Sequence, residues 1–179
     1  MLSLNIRLSK VQVMAIANNL HHDECGIEAM FTTMKQAENP RVAYNAAWVL
    51  SHLSKEDKRI YLLPHYGELV DMATSAEPRI SRWLILAILA GFSMDEPNEK
   101  LLNFCLFHLT DPKESDGSRS AMIKLAARIC KPYPELCKEL ALCLDIMPQD
   151  SSPSIAAAKR NALKMIQKEY GIIGLVQRV

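Results

Sequence analysis

The sequence predicts an all-α fold: a right-handed α-α superhelix (solenoid) of about four helical hairpins plus an N-terminal capping helix. Three observations carry this. First, an apolar phrase recurs at nearly constant spacing. A shift of 38 residues lays Val42, Ala46, Val49, Leu50 and Leu53 on Ile80, Leu84, Ala87, Ile88 and Gly91. The same shift reaches Ser118, Met122, Leu125, Ala126 and Ile129, and a slightly longer one Ala158, Ala162, Met165 and Ile166. Recurrence of this length marks stacked helical hairpins, each burying its apolar face on its neighbours. Second, strand signals are scarce, with no sustained period-2 alternation. Third, the nine prolines stand mostly at helix starts or between helices, where a missing N–H costs least.

The capping helix runs roughly from Ser9 to Leu20, with Val11, Met14, Ala15 and Asn18 along one side. Four hairpins follow. Their first, outer helices are expected near 24–36, 60–74, 98–110 and 133–146. Their second, inner helices are expected near 40–53, 78–92, 117–130 and 153–168. Asn39-Pro40 and Ser152-Pro153 each set an N-cap residue before a proline at the first helical position. Asp116-Gly117 lies in the longest polar connection, Asp111 to Ser118. Gly171 suits the left-handed residue that ends the last helix. The chain is thus expected to be one domain over 1–179: a cap at 1–22, hairpins at 23–168 and a tail at 169–179. The apolar tail segment Ile172-Ile173-Gly174-Leu175-Val176 reads either as a lid over the open last hairpin or as a docking segment.

Bulk numbers narrow the class. At 179 residues and 49% hydrophobic content the chain buries a sizeable core, and its net charge of +1 singles out no partner. Five cysteines with no CxxC pair, and a start lacking a cationic stretch before a long apolar run, lead us to expect reduced thiols in a cytoplasmic protein. The most apolar window, Leu84 to Phe92, is too short to cross a bilayer, so no membrane partner is expected.

Charge is sorted by helix type. The expected inner helices carry eleven cations, among them Arg41, Arg79, Arg82, Arg119, Lys124, Arg128, Arg160, Lys164 and Lys168, and no acid. The outer helices and their leading edges hold thirteen acids, including Asp95 and Glu96, against five cations. Stacking the hairpins in register lines up three outward rows. One is Tyr44, Arg82, Ser120, Arg160; the next is Trp48, Leu86, Lys124, Lys164; the third is His52, Ala90, Arg128, Lys168.

The macrodipole favours cations in the last helical turn and so accounts for Arg128, Lys164 and Lys168. It does not account for Arg79, Arg82, Arg119 or Arg160 near helix starts. Two readings therefore stand: a solvated face, or a ridge that binds an anionic surface. Its expected members are Arg41, Tyr44, Trp48, His52, Arg79, Arg82, Lys124, Arg128, Arg160, Lys164 and Lys168. Trp48 is either an interface residue or a wedge against a neighbouring helix, while Trp83 reads as structural.

Chemistry is hard to find. His21-His22-x-x-Cys25, with Asp23 and Glu24 nearby, lacks a second ligand cluster and reads as a turn, so no metal is expected. His65 and His108 read as core or boundary residues. Cys137-x5-Cys143 fits neither a zinc knuckle nor a redox pair. There is no glycine-rich phosphate loop and no G-x-S-x-G element, and Asp150, Asp111, Glu114 and Asp116 are single loop acids. No cofactor and no catalytic residues are expected.

The phrase Asn39-Pro40-Arg41-Val42-Ala43-Tyr44-Asn45-Ala46-Ala47-Trp48-Val49-Leu50 resembles the second helix of a HEAT repeat, as does Glu77-Pro78-Arg79-Ile80-Ser81-Arg82-Trp83. Together with Tyr133-Pro134-Glu135-Leu136, these make nearly the whole chain similar to a branch of short bacterial HEAT-like proteins. The resemblance implies that inner helices line a concave surface. It extends distantly to HEAT-like DNA glycosylases, which hold DNA in a basic groove with tryptophans and a catalytic Asp. Here the expected inner helices carry no carboxylate to stabilise an oxocarbenium charge, so the likeness implies nucleic-acid binding rather than cleavage. Similar short proteins are sometimes labelled adenylosuccinate lyase. Ser93-Met94-Asp95-Glu96-Pro97 is not that family's signature loop and the chain is far too short for it. The function expected is a non-catalytic interaction or scaffold module for an acidic protein partner, with nucleic acid as the alternative.

Overall fold

The computed structural model describes residues 4–92, 98–147 and 152–171. The expectations for Asp95, Glu96, the 93–97 loop, Asp150 and the 172–176 tail lie outside the described residues. The chain forms two compact units, Met1–Ser93 and Met94–Val179. No strand occurs among the described residues, and no helix there is long and apolar enough to cross a membrane.

In the first unit α1 (Lys10–Asn19) is opened by a capping box in which Ser9 and Gln12 exchange side-chain-to-backbone bonds. The side bearing Val11, Met14, Ala15 and Asn18 is not the one it buries. Val13 and Ala17 are buried, whereas Val11 and Met14 are exposed, because it packs against α3 on the Val13 side. Asp23 caps α2 (Glu24–Gln36) and Asn39 caps α3 (Pro40–Ser51), each accepting a backbone N–H from the first turn. These two form an antiparallel hairpin whose core is Ile27, Phe31, Met34, Ala46, Val49 and Leu50.

The next outer helix starts earlier than expected and is irregular. Ser54 caps the single turn α4 (Lys55–Asp57), which runs into a π turn (Lys58–Leu62), a 3-10 turn (Leu63–His65) and then α5 (Tyr66–Thr74). Pro64 supplies no N–H and clashes with the preceding turn, so the helix cannot pass through it in regular geometry. Then α6 (Arg82–Leu89) follows, shorter than its expected 78–92. Arg79 reaches the end of α2, and Lys58 bridges Ser51 of α3 and Gly91 after α6, so α3 and α6 run parallel.

The second unit repeats the plan with α7 (Glu99–His108), α8 (Asp116–Cys130), α9 (Pro134–Asp145) and α10 (Pro153–Tyr170). Asn98 and Ser115 cap α7 and α8 through their side chains. Ser152 stands at the start of α10 without a side-chain cap bond, contrary to expectation: its hydroxyl lies 3.1 Å from that of Ser154. Gly171 ends α10 in the left-handed region at φ 63°. Near the helix starts Ser120 Oγ donates to the Ser154 carbonyl at 3.1 Å, and near the ends Tyr170 OH donates to that of Lys131 at 2.5 Å. Consequently α8 and α10 are parallel neighbours.

Candidate functional site

Tyr44 and Trp48 on α3, with His52 at its C-cap, recur every fourth residue and form a half-buried aromatic row. Their ring centroids are 6.1 and 6.3 Å apart in edge-on contacts, and His52 Nδ1 donates to the Trp48 carbonyl at 3.0 Å. Beside the row lies a cleft of about 610 Å³ lined by Arg7, Leu8, Pro40, Arg41, Tyr44, Asn45 and Trp48. The far wall is the segment ahead of α1. It is held there by Asn45, whose buried side-chain amide donates to the carbonyls of Leu4 and Ile6, both at 2.8 Å. Both guanidinium residues, Arg7 and Arg41, are exposed, and no carboxylate lines the cleft. Two planar cations beside flat aromatic edges suit a carboxylate or phosphate attached to a planar group.

Sequence reasoning missed Arg7. The signal was Asn45: a polar residue within an apolar helical phrase must find partners if it is buried.

The second unit holds the rest of the expected ridge. Lys124 and Arg128 stand one turn apart on α8, and Arg160, Lys164 and Lys168 recur every fourth residue on α10; all five are exposed. The helix bounds bring two acids into these helices, Asp116 and Glu169, contrary to the expected acid-free pattern. Both lie at helix ends and are ion-paired, Asp116 with Arg119 at 3.0 Å and Glu169 with Lys131 at 3.3 Å. The hydrogen bond from Arg119, followed by one from Ser152, holds the Asp116 carboxyl below the usual carboxylate range. Among the described residues no carboxylate pairs with Lys124, Arg160, Lys164 or Lys168.

Two expected members do other work. Arg82 is buried, and its Nε donates to the Ala73 carbonyl at 2.8 Å while Nη2 donates to that of Ser75. Arg79 is exposed, but its two terminal nitrogens donate to the carbonyls of Lys35 and Ala37. Each arginine sits just before or at the start of α6, yet satisfies carbonyls at the C-terminus of an outer helix, α5 or α2, where a cation is favoured. That removes the anomaly at Arg79 and Arg82, but not at Arg160. Ser120 and Leu86 are also buried, so the outward rows do not hold at those positions.

His65, His108, Cys105 and Cys130 are structural in setting. His65 donates to Glu28 at 2.8 Å and stacks on Phe31, and His108 lies 3.4 Å from Asp111, both half-buried as expected of boundary residues. Burial pushes the thiols of Cys105 and Cys130 up to about 12. Such thiols are inert as nucleophiles.

No curated protein and no solved structure matches the chain. A family model described as the HEAT repeat domain matches residues 2–166, which takes in both units and every helix up to Ile166. The chain belongs to the HEAT repeat domain family.

Proposed function

We propose that this protein is a non-catalytic interaction module that binds an acidic protein partner through the cationic face of α8 and α10. HEAT repeats commonly mediate protein interactions or scaffolding. One observation carries the reading: Lys124, Arg160, Lys164 and Lys168 are exposed on two parallel helices and have no carboxylate partner among the described residues. Like-signed charges held together without internal neutralisation raise the local potential and steer an oppositely charged chain to the surface.

Fluorescence anisotropy with a labelled polyglutamate peptide tests it. The parent is expected to bind, and a Lys124→Glu/Arg160→Glu/Lys164→Glu variant to bind at least about tenfold more weakly. Absence of binding by the parent at low salt, or equal binding by the variant, overturns the reading.

The cleft on α3 favours a second reading, nucleic-acid binding. Arg7 and Arg41 would contact phosphates while Tyr44 or Trp48 stacks on a base. A labelled random single strand should then quench tryptophan fluorescence, and its affinity should fall steeply between about 50 and 200 mM salt. With no carboxylate in the cleft, this reading includes no glycosidic cleavage.

A further inference from the structure

Away from the cationic surfaces, three metal-ligating side chains converge in the first unit from segments 35 and 36 residues apart. His21 and His22 follow α1, and Asp57 closes the single turn α4. His21 Nδ1 lies 2.9 Å from Asp57 Oδ2, and His22 Nδ1 lies 3.6 Å from Asp57 Oδ1. One ligand atom from each residue falls within 4.8 Å of the other two. A tetrahedral ion with ligands at about 2.0–2.1 Å sets its donor atoms roughly 3.3 Å apart, and the imidazole–carboxylate distances of 2.9 and 3.6 Å, which run to the two different oxygens of Asp57, lie on either side of that value.

The carboxylate is built into place. Asp57 is only 1% exposed; Ser54 Oγ donates to its Oδ2 at 2.6 Å and the His22 backbone N–H donates to its Oδ1 at 3.1 Å. Outer hydrogen bonds of this kind orient a carboxylate ligand and hold it ionised. His22 is in the left-handed region at φ 59°, and among the described residues no other non-glycine residue has a positive φ. Both imidazoles are about half exposed, which leaves room for solvent to complete a coordination sphere.

We propose that His21, His22 and Asp57 form a binding site for a divalent first-row transition-metal ion, with two nitrogen donors, one oxygen donor and at least one water position. Two imidazoles select zinc-class ions over magnesium or calcium, which take oxygen ligands. On binding, the ion replaces the proton that His21 Nδ1 shares with Asp57; the neutral ring then carries its proton on Nε2 and presents the Nδ1 lone pair. Cys25, which the sequence places beside this pair, is not a member of the cluster.

The test is calorimetric titration of the folded, reduced chain with zinc chloride, in a Cys25→Ser background that removes the exposed thiol, with magnesium chloride as comparison. One zinc ion per chain is expected, and no magnesium. His21→Gln and His22→Gln should each weaken zinc binding about tenfold or more with an unchanged circular dichroism spectrum. Cobalt chloride should give visible bands of nitrogen and oxygen ligation without a thiolate charge-transfer band. No zinc binding up to about 100 μM, parent-level zinc binding by either histidine variant, or a thiolate band overturns the proposal. The histidine variants keep the test decisive where Asp57→Asn, at a buried site, fails to fold.

Discussion

Gly91 lies so close to Lys58 that a Cβ added to it would stand 2.3 Å from Lys58 Cδ. The lysine stem fills the space at position 91, and its ammonium donates to the Ser51 carbonyl at the end of α3 at 2.6 Å. Gly91→Ala should therefore destabilise the protein by about 1–3 kcal/mol, the usual cost of overpacking. Urea unfolding measures it. In a Lys58→Ala background part of this cost should vanish, leaving the part due to the Ile88 carbonyl, which would lie 3.0 Å from the added Cβ; an undiminished penalty there would show that Lys58 is not the clashing group.

Burial pushes the Lys58 ammonium down to about 8 from its ordinary 10.5. Below pH 8 both folded and unfolded chains carry the proton, and the cost of burying the charge is fully present. Between about pH 8 and 10.5 the folded chain has released the proton while the unfolded chain still holds it, so this site's contribution to stability rises with pH. Relative to Lys58→Met, the parent should gain on the order of 1–3 kcal/mol from pH 7 to pH 10. Taking the difference between parent and variant cancels the titration of the thiols. A difference independent of pH would mean that Lys58 reaches solvent.

Arg82 and Lys124 should respond in opposite ways. Arg82→Leu leaves the carbonyls of Ala73 and Ser75 without their guanidinium donor and should cost about 2–4 kcal/mol of stability. Its effect on the affinity of the folded protein for an acidic peptide should be small. Lys124→Glu, on an exposed position, should change stability by less than about 0.5 kcal/mol while weakening peptide binding. Thermal melts paired with anisotropy distinguish this from a ridge that includes both residues.

The Asn45 amide is the tether of the cleft's far wall. Asn45→Ala should cost about 1–3 kcal/mol and speed amide exchange over Leu4–Leu8, since the carbonyls of Leu4 and Ile6 lose their donor. Hydrogen–deuterium exchange read by mass spectrometry follows it peptide by peptide. Unchanged protection would mean that Leu8 burial alone holds the segment.

Thiol reactivity should follow exposure. Iodoacetamide at pH 8 should modify the exposed Cys25 first, with Cys105 and Cys130 protected until the protein unfolds. Peptide mapping after timed labelling checks the order, and early labelling of Cys105 would contradict its burial.

Local signals in the chain were enough to locate nearly every helix. The outer helix at 24–36 and the starts of those at Pro40 and Pro153 coincide with the expected bounds, because apolar periodicity, N-cap residues and prolines act within a few residues of where they stand. Where such a signal is weak or contested, the reading went astray. The apolar positions of α1 do not define one clear side, and the side buried in the fold is that of Val13 and Ala17. The segment from Lys55 to Thr74 bends through π and 3-10 turns at a proline that its periodicity conceals.

The cations show where reading a single chain stops. Arg82 and Arg160 occupy the same place in the repeat and look alike in sequence, yet one is buried against carbonyls of α5 and the other is solvated. A guanidinium on a long flexible stem can reach any unsatisfied helix end nearby, and which end is nearby depends on how the hairpins pack. The same holds for His21, His22 and Asp57, brought together from opposite sides of a hairpin. Sequence alone settled the helices and the family's repeat. Tertiary packing decided which charged groups are occupied in holding those helices and which are left to meet a ligand, because long side chains choose partners across space rather than along the chain.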